Sequence, residues 1–348
     1  MLIWSCRRQK LIGETFGTAV AVPEVFFYRG ASTEVSIIVN LFVIAFAGIV
    51  LLYAGGEMLV RYSSSLGCRM GLSDLFIGLT IVAFGTSAPE LVSSIVSIIK
   101  NAPDLVMGNI LGSNITNIGL ILALSAVISP FDTDFARNRD NFLFLATASI
   151  LAGLIIFTGH IYLWEGLVLL VMFGFYNWTL FRAETSPALE SEENSVNSDT
   201  SGILLPLIGI AISVVMLPFG ADLLVDSAVG IGSLLGVSQH VMGLTLVAMG
   251  TSLPELVTSL IAAFRKKGDL CLGNIVGSNI FNILVIPGVC SVFGSMNFPS
   301  VLLRTDVLVM VGMSLVAILF TFSGNNLSRR EGTFLLCCYC GYMLQFVR

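Results

Sequence analysis

The sequence predicts an all-α membrane protein with ten transmembrane helices in two inverted five-helix repeats. Three observations lead to this fold class: the composition, the number of apolar runs, and a pair of motifs that occurs twice. Of the 348 residues, 55% are hydrophobic and 11% are charged, and the mean hydropathy is +0.93. Because a soluble protein carries about 25% charged residues, this composition indicates a chain embedded in lipid.

The apolar runs give the expected number of helices. A helix needs about 20 mostly apolar residues to cross the hydrocarbon core of a bilayer. Ten runs of roughly that length are present, at about 36–56, 72–99, 104–129, 142–159, 162–181, 202–220, 239–265, 269–294, 304–323 and 331–347.

The segment 183–201 divides these runs into two sets of five. It contains five acidic residues and no basic residue, which is typical of a solvated linker. It separates a first five-helix repeat at 34–182 from a second at 202–348, and residues 1–33 are expected to form a disordered N-terminal arm. Since five is an odd number, the second repeat must enter the membrane from the opposite side, which makes the repeat inverted.

Basic residues in the loops indicate the orientation. With the linker in the cytoplasm, ten loop Lys and Arg residues face the cytoplasm and three face outside, while the four of the N-terminal arm lie outside. The loop excess agrees with the positive-inside rule. We therefore expect a multi-pass integral protein of a bacterial inner (cell) membrane, with a cytoplasmic central linker.

Two motifs are repeated at a constant spacing. GTSAPELVSS at 85–94 returns as GTSLPELVTS at 250–259, and GNILGSNITNI at 108–118 returns as GNIVGSNIFNI at 273–283. The offset is 165 residues throughout, and 24 of 43 aligned positions around the motifs are identical. Internal repeats decide the architecture of a chain, so the two halves are expected to share one fold.

Each copy places a glutamate, Glu90 or Glu255, inside an apolar run. An acid at membrane depth is costly unless it binds a partner, so it marks a binding site. A proline precedes each glutamate, and proline removes one N–H from the helix and frees a carbonyl four residues earlier. We expect each helix to kink or unwind at the preceding Gly-Thr-Ser, where the freed carbonyl needs a partner.

Hydroxyl and amide side chains accompany the two glutamates. They are Thr86, Ser87, Ser113 and Asn117 in the first copy and Thr251, Ser252, Ser278 and Asn282 in the second. An all-oxygen set with two carboxylates suits Ca²⁺ or Na⁺ and argues against zinc or copper. Because neighbouring carboxylates repel each other, charge balance favours one divalent ion or two or more monovalent ions, which is the logic of an exchanger.

Other functional classes have less support. The sequence contains no nucleophile–base pair or metal triad of an enzyme and no basic patch for nucleic acid, and we expect no resident cofactor. The seven cysteines form no paired framework and have no metal-ligand spacing. A cation channel or a non-transporting membrane scaffold is an alternative, but an inverted repeat with two mid-membrane acids favours a carrier.

The doubled motifs GTSxPEL and GNIxGSNIxNI resemble the α-repeats of the cation/calcium exchanger superfamily, and within it the short prokaryotic-type sodium/calcium antiporters. The resemblance covers most of 36–347 and implies ten helices, with spans two, three, seven and eight around the ion sites. It also implies which residues bind ions. Ca²⁺ would be bound by Glu90, Glu255, Thr86 and Thr251, and Na⁺ by the same glutamates, Ser87, Ser113, Ser252, Ser278 and the backbone carbonyls of Ala83 and Ala248.

One position departs from the family pattern. Some relatives have an aspartate where this chain has Asn282, so both halves carry asparagine, at Asn117 and Asn282, and the pocket has two carboxylates rather than three. The resemblance implies a secondary active Na⁺/Ca²⁺ antiporter that works by alternating access, with spans one and six sliding across the core. A Ca²⁺/H⁺ or K⁺-dependent antiporter of the same fold is the alternative.

Overall fold

The computed structural model describes residues 31–133, 135–184, 202–235, 250–294, 296–298, 300–324 and 326–345. The helices within these ranges are α1 Ala31–Met70, α2 Asp74–Ile99, α3 Pro103–Ile128, α4 Phe135–Thr158, α5 Leu163–Glu184, α6 Leu204–Leu234, α7 Leu253–Phe264, α8 Gly268–Phe293, α9 Ser300–Gly324 and α10 Arg329–Leu344. Four two-residue strands lie between them: β1 Phe131–Asp132, β2 His160–Ile161, β3 Met296–Asn297 and β4 Asn326–Leu327.

Eight of the helices in the described ranges are long and apolar enough to cross a membrane. They coincide with eight of the ten expected spans. The other two expected spans contain α7, which has 12 described residues, and α10, which has 16. The helical membrane architecture is thus established, whereas the count of ten spanning helices in inverted repeats stays a prediction. The N-terminal arm up to residue 30 and the linker from 185 to 201 lie outside the described residues.

Helices α1 and α6 are both longer than the apolar runs that predicted them. Each continues 14 residues past the predicted end of its run, to Met70 and to Leu234. The two helices lie against each other, and their backbones touch at Gly48 and Gly220, where a Cβ on Gly48 would lie 2.8 Å from the Gly220 carbonyl oxygen. This mutual contact extends the pair as one two-helix layer beside the other helices.

The centre of the protein is α8, which is buried along nearly its whole length. It crosses α2 at Gly78 and Gly273, where the two backbones are in direct contact. A Cβ built on Gly273 would lie 2.7 Å from the Leu75 carbonyl oxygen and 2.9 Å from the Gly78 Cα. Only glycine allows such an approach, so the sequence GNIxGSN brings its polar side chains directly against α2.

Two short antiparallel ribbons join the halves. β1 pairs with β4, with Phe131 opposite Leu327, and β2 pairs with β3, with Ile161 opposite Met296. A shift of 165 residues moves β1 onto β3, so the two ribbons are related by the same repeat as the motifs. Each ribbon takes one strand from each half. The sequence analysis predicted none of these strands.

A polar network connects α1 to the rest of the bundle near β1. The Ser64 hydroxyl donates to Asp74 Oδ1 at 2.7 Å, and Lys267 Nζ donates to both Ser64 Oγ at 2.8 Å and Asp74 Oδ2 at 2.9 Å. Arg265 also forms an ion pair with Glu57 of α1. These contacts join α1 to the start of α2 and to the loop between α7 and α8.

Candidate ion-binding site

Helix α2 carries the first repeated motif. A π-helical turn at Gly78–Val82 precedes the motif, and the α-helix then runs from Ala83 through Pro89 to Ile99. The expected unwinding at Gly-Thr-Ser is therefore wrong in this half. The wider π turn lies one turn earlier, directly at the crossing with α8. Such turns are rare and are frequent at functional sites.

Helix α7 carries the second copy and differs from the first. Thr251 and Ser252 lie in a turn, and the helix begins at Leu253 with Pro254 in its first turn. Proline is well suited to that position because the first N–H groups of a helix have no intrahelical partner. In this half the expected interruption at Gly-Thr-Ser is present.

The two predicted carboxylates are completely buried, and each is held by the opposite half of the chain. Glu90 and Glu255 both have 0% exposure. The Ser87 hydroxyl donates to Glu255 Oε1 at 2.8 Å, and the Ser252 hydroxyl donates to Glu90 Oε1 at 3.4 Å. The hydrogen bonds therefore cross between α2 and α7, and each glutamate depends on a serine about 165 residues away.

The second oxygen of each carboxylate has a different environment. Within the described residues, neither Glu90 Oε2 nor Glu255 Oε2 has a hydrogen-bond partner, although both are buried. A buried polar atom without a partner loses its hydration and gains nothing in return. These two oxygens are therefore available to a ligand that enters between the helices.

The predicted hydroxyl and amide groups surround the same place. Thr86 Oγ1 lies 3.4 Å from Ser278 Oγ, and the Ser252 hydroxyl lies 3.3 Å from Ser113 Oγ. The Asn117 amide donates to Asn279 Oδ1 at 3.0 Å. Three further polar atoms are buried and have no hydrogen-bond partner in the described part of the chain: Asn117 Oδ1 and both amide atoms of Asn282.

The two predicted backbone ligands have different outcomes. The Ala83 carbonyl oxygen is close to this cluster and lies 3.3 Å from the Thr86 hydroxyl, which is positioned to donate to it. Ala248 lies outside the described residues. The structure thus brings eleven of the twelve predicted site residues into one described region, and it leaves Ala248 as a prediction.

The threonines have partners that the sequence analysis did not select. The Thr86 hydroxyl donates to Asn274 Oδ1 at 3.1 Å, and the Thr251 hydroxyl is positioned to donate to Asn109 Oδ1 at 3.5 Å. Both asparagines belong to the repeated Gly-Asn-Ile, so the 165-residue repeat was a signal that could have identified them. Their distance from the glutamates along the chain concealed their position in space.

The sequence also matches proteins that are already known. The family described as sodium/calcium exchanger protein matches at residues 40–182 and 205–348. The chain belongs to the sodium/calcium exchanger family. The resemblance inferred from the two motifs is thereby confirmed, and the chain is a multi-pass membrane transporter of the cation/Ca²⁺ exchanger type.

Individual members of the family are similar over most of their length. The sodium/calcium exchanger MaX1 of Methanosarcina acetivorans is 32% identical over 340 residues, covering 87% of this chain and 97% of the relative. The inner membrane protein YrbG of Escherichia coli is 32% identical over 252 residues, covering 69% and 76%. The structure of the sodium-calcium exchanger NCX_Mj soaked with 10 mM Na⁺ and zero Ca²⁺ superposes with a TM-score of 0.77 at 34% identity, covering 89% and 99%.

The donor set of this exchanger consists of oxygen atoms with two carboxylates. Among the described residues, no group of three or more His, Cys, Asp and Glu side chains is arranged to hold a metal ion. The chemistry therefore relies on hydroxyl, amide and carbonyl oxygens around Glu90 and Glu255. Such a set can coordinate hard cations, which prefer oxygen ligands.

Proposed function

We propose that this member of the sodium/calcium exchanger family is a secondary active antiporter that exchanges Ca²⁺ for Na⁺ by alternating access. The ions bind at mid-membrane between Glu90 and Glu255, where the two repeats meet. One observation carries the proposal: each buried glutamate has one oxygen held by a serine of the other half and one oxygen without a partner in the described residues.

Charge supports ions of this kind. Two carboxylates carry two negative charges, so one Ca²⁺ neutralises them completely, and two or more Na⁺ ions neutralise them equally well. Either load fills the same place, and the two loads exclude each other. The relatives' names point to the same ions, because MaX1 is named a sodium/calcium exchanger and NCX_Mj a sodium-calcium exchanger.

The proposal includes ten spanning helices in two inverted repeats, with α1 and α6 moving across the remaining helices. Support comes from the two ribbons, which correspond to each other under the 165-residue shift and each join one half to the other. We further propose that the protein lies in the inner membrane with its linker in the cytoplasm, as the loop charges and the name of YrbG suggest.

The test is uptake of ⁴⁵Ca²⁺ into proteoliposomes, driven in turn by outward gradients of Na⁺, K⁺ and H⁺ of equal size. We expect an outward Na⁺ gradient to drive uptake and a proton gradient to have no effect, because the neutral hydroxyl and carbonyl oxygens around the site suit Na⁺ and need no proton. Uptake that follows the pH gradient and ignores Na⁺ would establish the Ca²⁺/H⁺ alternative. Uptake that continues down a Ca²⁺ gradient with no counter-ion inside would indicate a channel.

A further inference from the structure

Two asparagines link the ion-binding threonines to the opposite half of the chain. Asn109 lies on α3 and Asn274 lies on α8, at equivalent positions of the repeat. Thr251 is positioned to donate to Asn109 Oδ1, and Thr86 donates to Asn274 Oδ1. Neither asparagine is one of the predicted ion ligands, so their function is to be sought in the threonine hydroxyls that they contact.

The orientation of the Asn109 amide is determined by its other contacts. Asn109 Nδ2 lies 3.2 Å from the backbone carbonyl oxygen of Glu90 and 3.0 Å from Ser94 Oγ. A backbone carbonyl oxygen only accepts hydrogen bonds, so the NH₂ group must face Glu90. Asn109 Oδ1 therefore faces Thr251, and it is an acceptor only.

Asn274 repeats this arrangement in the other half. Its Nδ2 donates to Ser259 Oγ at 2.9 Å, and Ser259 is the equivalent of Ser94. The Oδ1 atom again faces a threonine of the opposite half, at 3.1 Å from Thr86 Oγ1. Asn274 is 1% exposed and Thr86 is 0% exposed, so no water competes for the hydroxyl.

An acceptor beside a hydroxyl determines where its proton points. A threonine hydroxyl has one proton and two lone pairs. When the proton is directed to an amide oxygen, the lone pairs face the opposite way and are available to a cation. Without that acceptor the Thr86 proton turns to its other acceptors, Ser278 Oγ and the Ala83 carbonyl oxygen, and takes up an oxygen that the ion would use.

We propose that Asn109 and Asn274 are positioning residues that hold the Thr251 and Thr86 hydroxyls in the ion-binding orientation, each acting across the interface between the repeats. This inference rests on the proposed function, because it requires the threonines to bind Ca²⁺. It adds residues outside the ligand set that set the affinity for the ion.

Double-mutant cycles on the purified full-length protein test the proposal, with equilibrium binding of ⁴⁵Ca²⁺ as the measurement. We expect Asn274→Leu to weaken Ca²⁺ binding about 10-fold, the typical effect of losing one buried hydrogen bond. Thr86→Val should weaken it at least as much. The double variant should bind no more weakly than Thr86→Val alone, because the asparagine acts only through that hydroxyl.

The repeat provides a matched control within the same protein. Asn109→Leu should be coupled to Thr251→Val in the same way. The exchanged combinations, Asn274→Leu with Thr251→Val and Asn109→Leu with Thr86→Val, should give additive losses. Equal additivity in all four combinations would show that the asparagines act on the fold and would overturn the proposal. Thr86→Ser, which keeps the hydroxyl, should retain both the affinity and the sensitivity to Asn274→Leu.

Ser259→Ala keeps the experiment decisive if Asn274→Leu does not fold. This change removes the acceptor for Asn274 Nδ2, so the amide can rotate and present a donor to Thr86. We expect weaker Ca²⁺ binding in the parent and no further loss in Thr86→Val; a loss of the same size in both backgrounds overturns the proposal. If both threonine variants bind Ca²⁺ like the parent, the ligand assignment itself fails. If they lose binding while the asparagine variants keep it, only the positioning role fails.

Discussion

The crossing of α2 and α8 provides the sharpest prediction from the fold. Gly273→Ala would place a Cβ 2.7 Å from the Leu75 carbonyl oxygen and 2.9 Å from the Gly78 Cα. Both neighbours are backbone atoms, so no side-chain rotation can relieve the contact. Moving the first contact to the 3.4 Å of ordinary van der Waals packing opens the crossing by about 0.7 Å.

Two consequences follow from this displacement. Overpacking of this kind costs about 1–3 kcal/mol, and replacing a helical glycine by alanine returns about 1 kcal/mol, so we expect a net loss of about 2 kcal/mol in stability. Asn274 is the next residue in α8. If the displacement is transmitted in full, its 3.1 Å hydrogen bond from Thr86 lengthens beyond the normal limit, so Ca²⁺ affinity should also fall.

Thermal unfolding in detergent and ⁴⁵Ca²⁺ flux in proteoliposomes measure the two effects. Gly174→Ala is the matched control, because a Cβ there meets no described atom within 4 Å. The control should melt at or above the parent temperature and transport normally. A Gly273→Ala variant with parental melting temperature and parental Ca²⁺ affinity would refute the argument that the backbone contact at this crossing sets the geometry of the site.

Three further predictions concern charge. Glu90→Gln and Glu255→Gln should each abolish Ca²⁺ transport yet remain monodisperse in detergent, because a buried amide costs less than a buried charge; near-parental flux in either variant would contradict the site assignment. Asn282→Asp should make Na⁺-driven Ca²⁺ flux more dependent on pH between about 5 and 8, because a third carboxylate beside Glu90 and Glu255 introduces another proton-binding group; superimposable profiles would mean that position 282 does not face the ion. Lys267→Met should lower stability by about 1 kcal/mol or less, because its pair with Asp74 is only partly buried, whereas Arg139→Gln in the exposed pair with Asp140 should have no measurable effect.

The sequence was sufficient to identify the carboxylates and most of their neighbours. Glu90 and Glu255 are acids in apolar runs, and the exact repeat around them indicated one shared site. The crossed bonds from Ser87 to Glu255 and from Ser252 to Glu90 were not predictable, because they depend on how α2 lies against α7 in space. Sequence spacing relates residues on one helix and contains no information about which helix lies opposite.

The errors have physical explanations of the same kind. Hydropathy ends α1 and α6 where the apolar run ends, but the helices continue because they support each other beyond that point. The π turn at Gly78–Val82 is a shift in backbone hydrogen bonding at a helix crossing, which side-chain types do not encode directly. Asn109 and Asn274 were overlooked because an amide contributes no charge, although their recurrence in the repeat was visible.

The crossed serine–glutamate bonds also impose an order on biosynthesis. Ser252 follows Glu90 by 162 residues in the chain, and at about 5–20 residues per second the ribosome produces it roughly 8 to 32 s later. During that interval the first repeat can already be in the membrane while Glu90 and Ser87 still lack the groups that hold them in the finished protein. The first half is therefore an unfinished template rather than an independent folding unit, and a nascent chain that stops before α7 should be a substrate for membrane quality control.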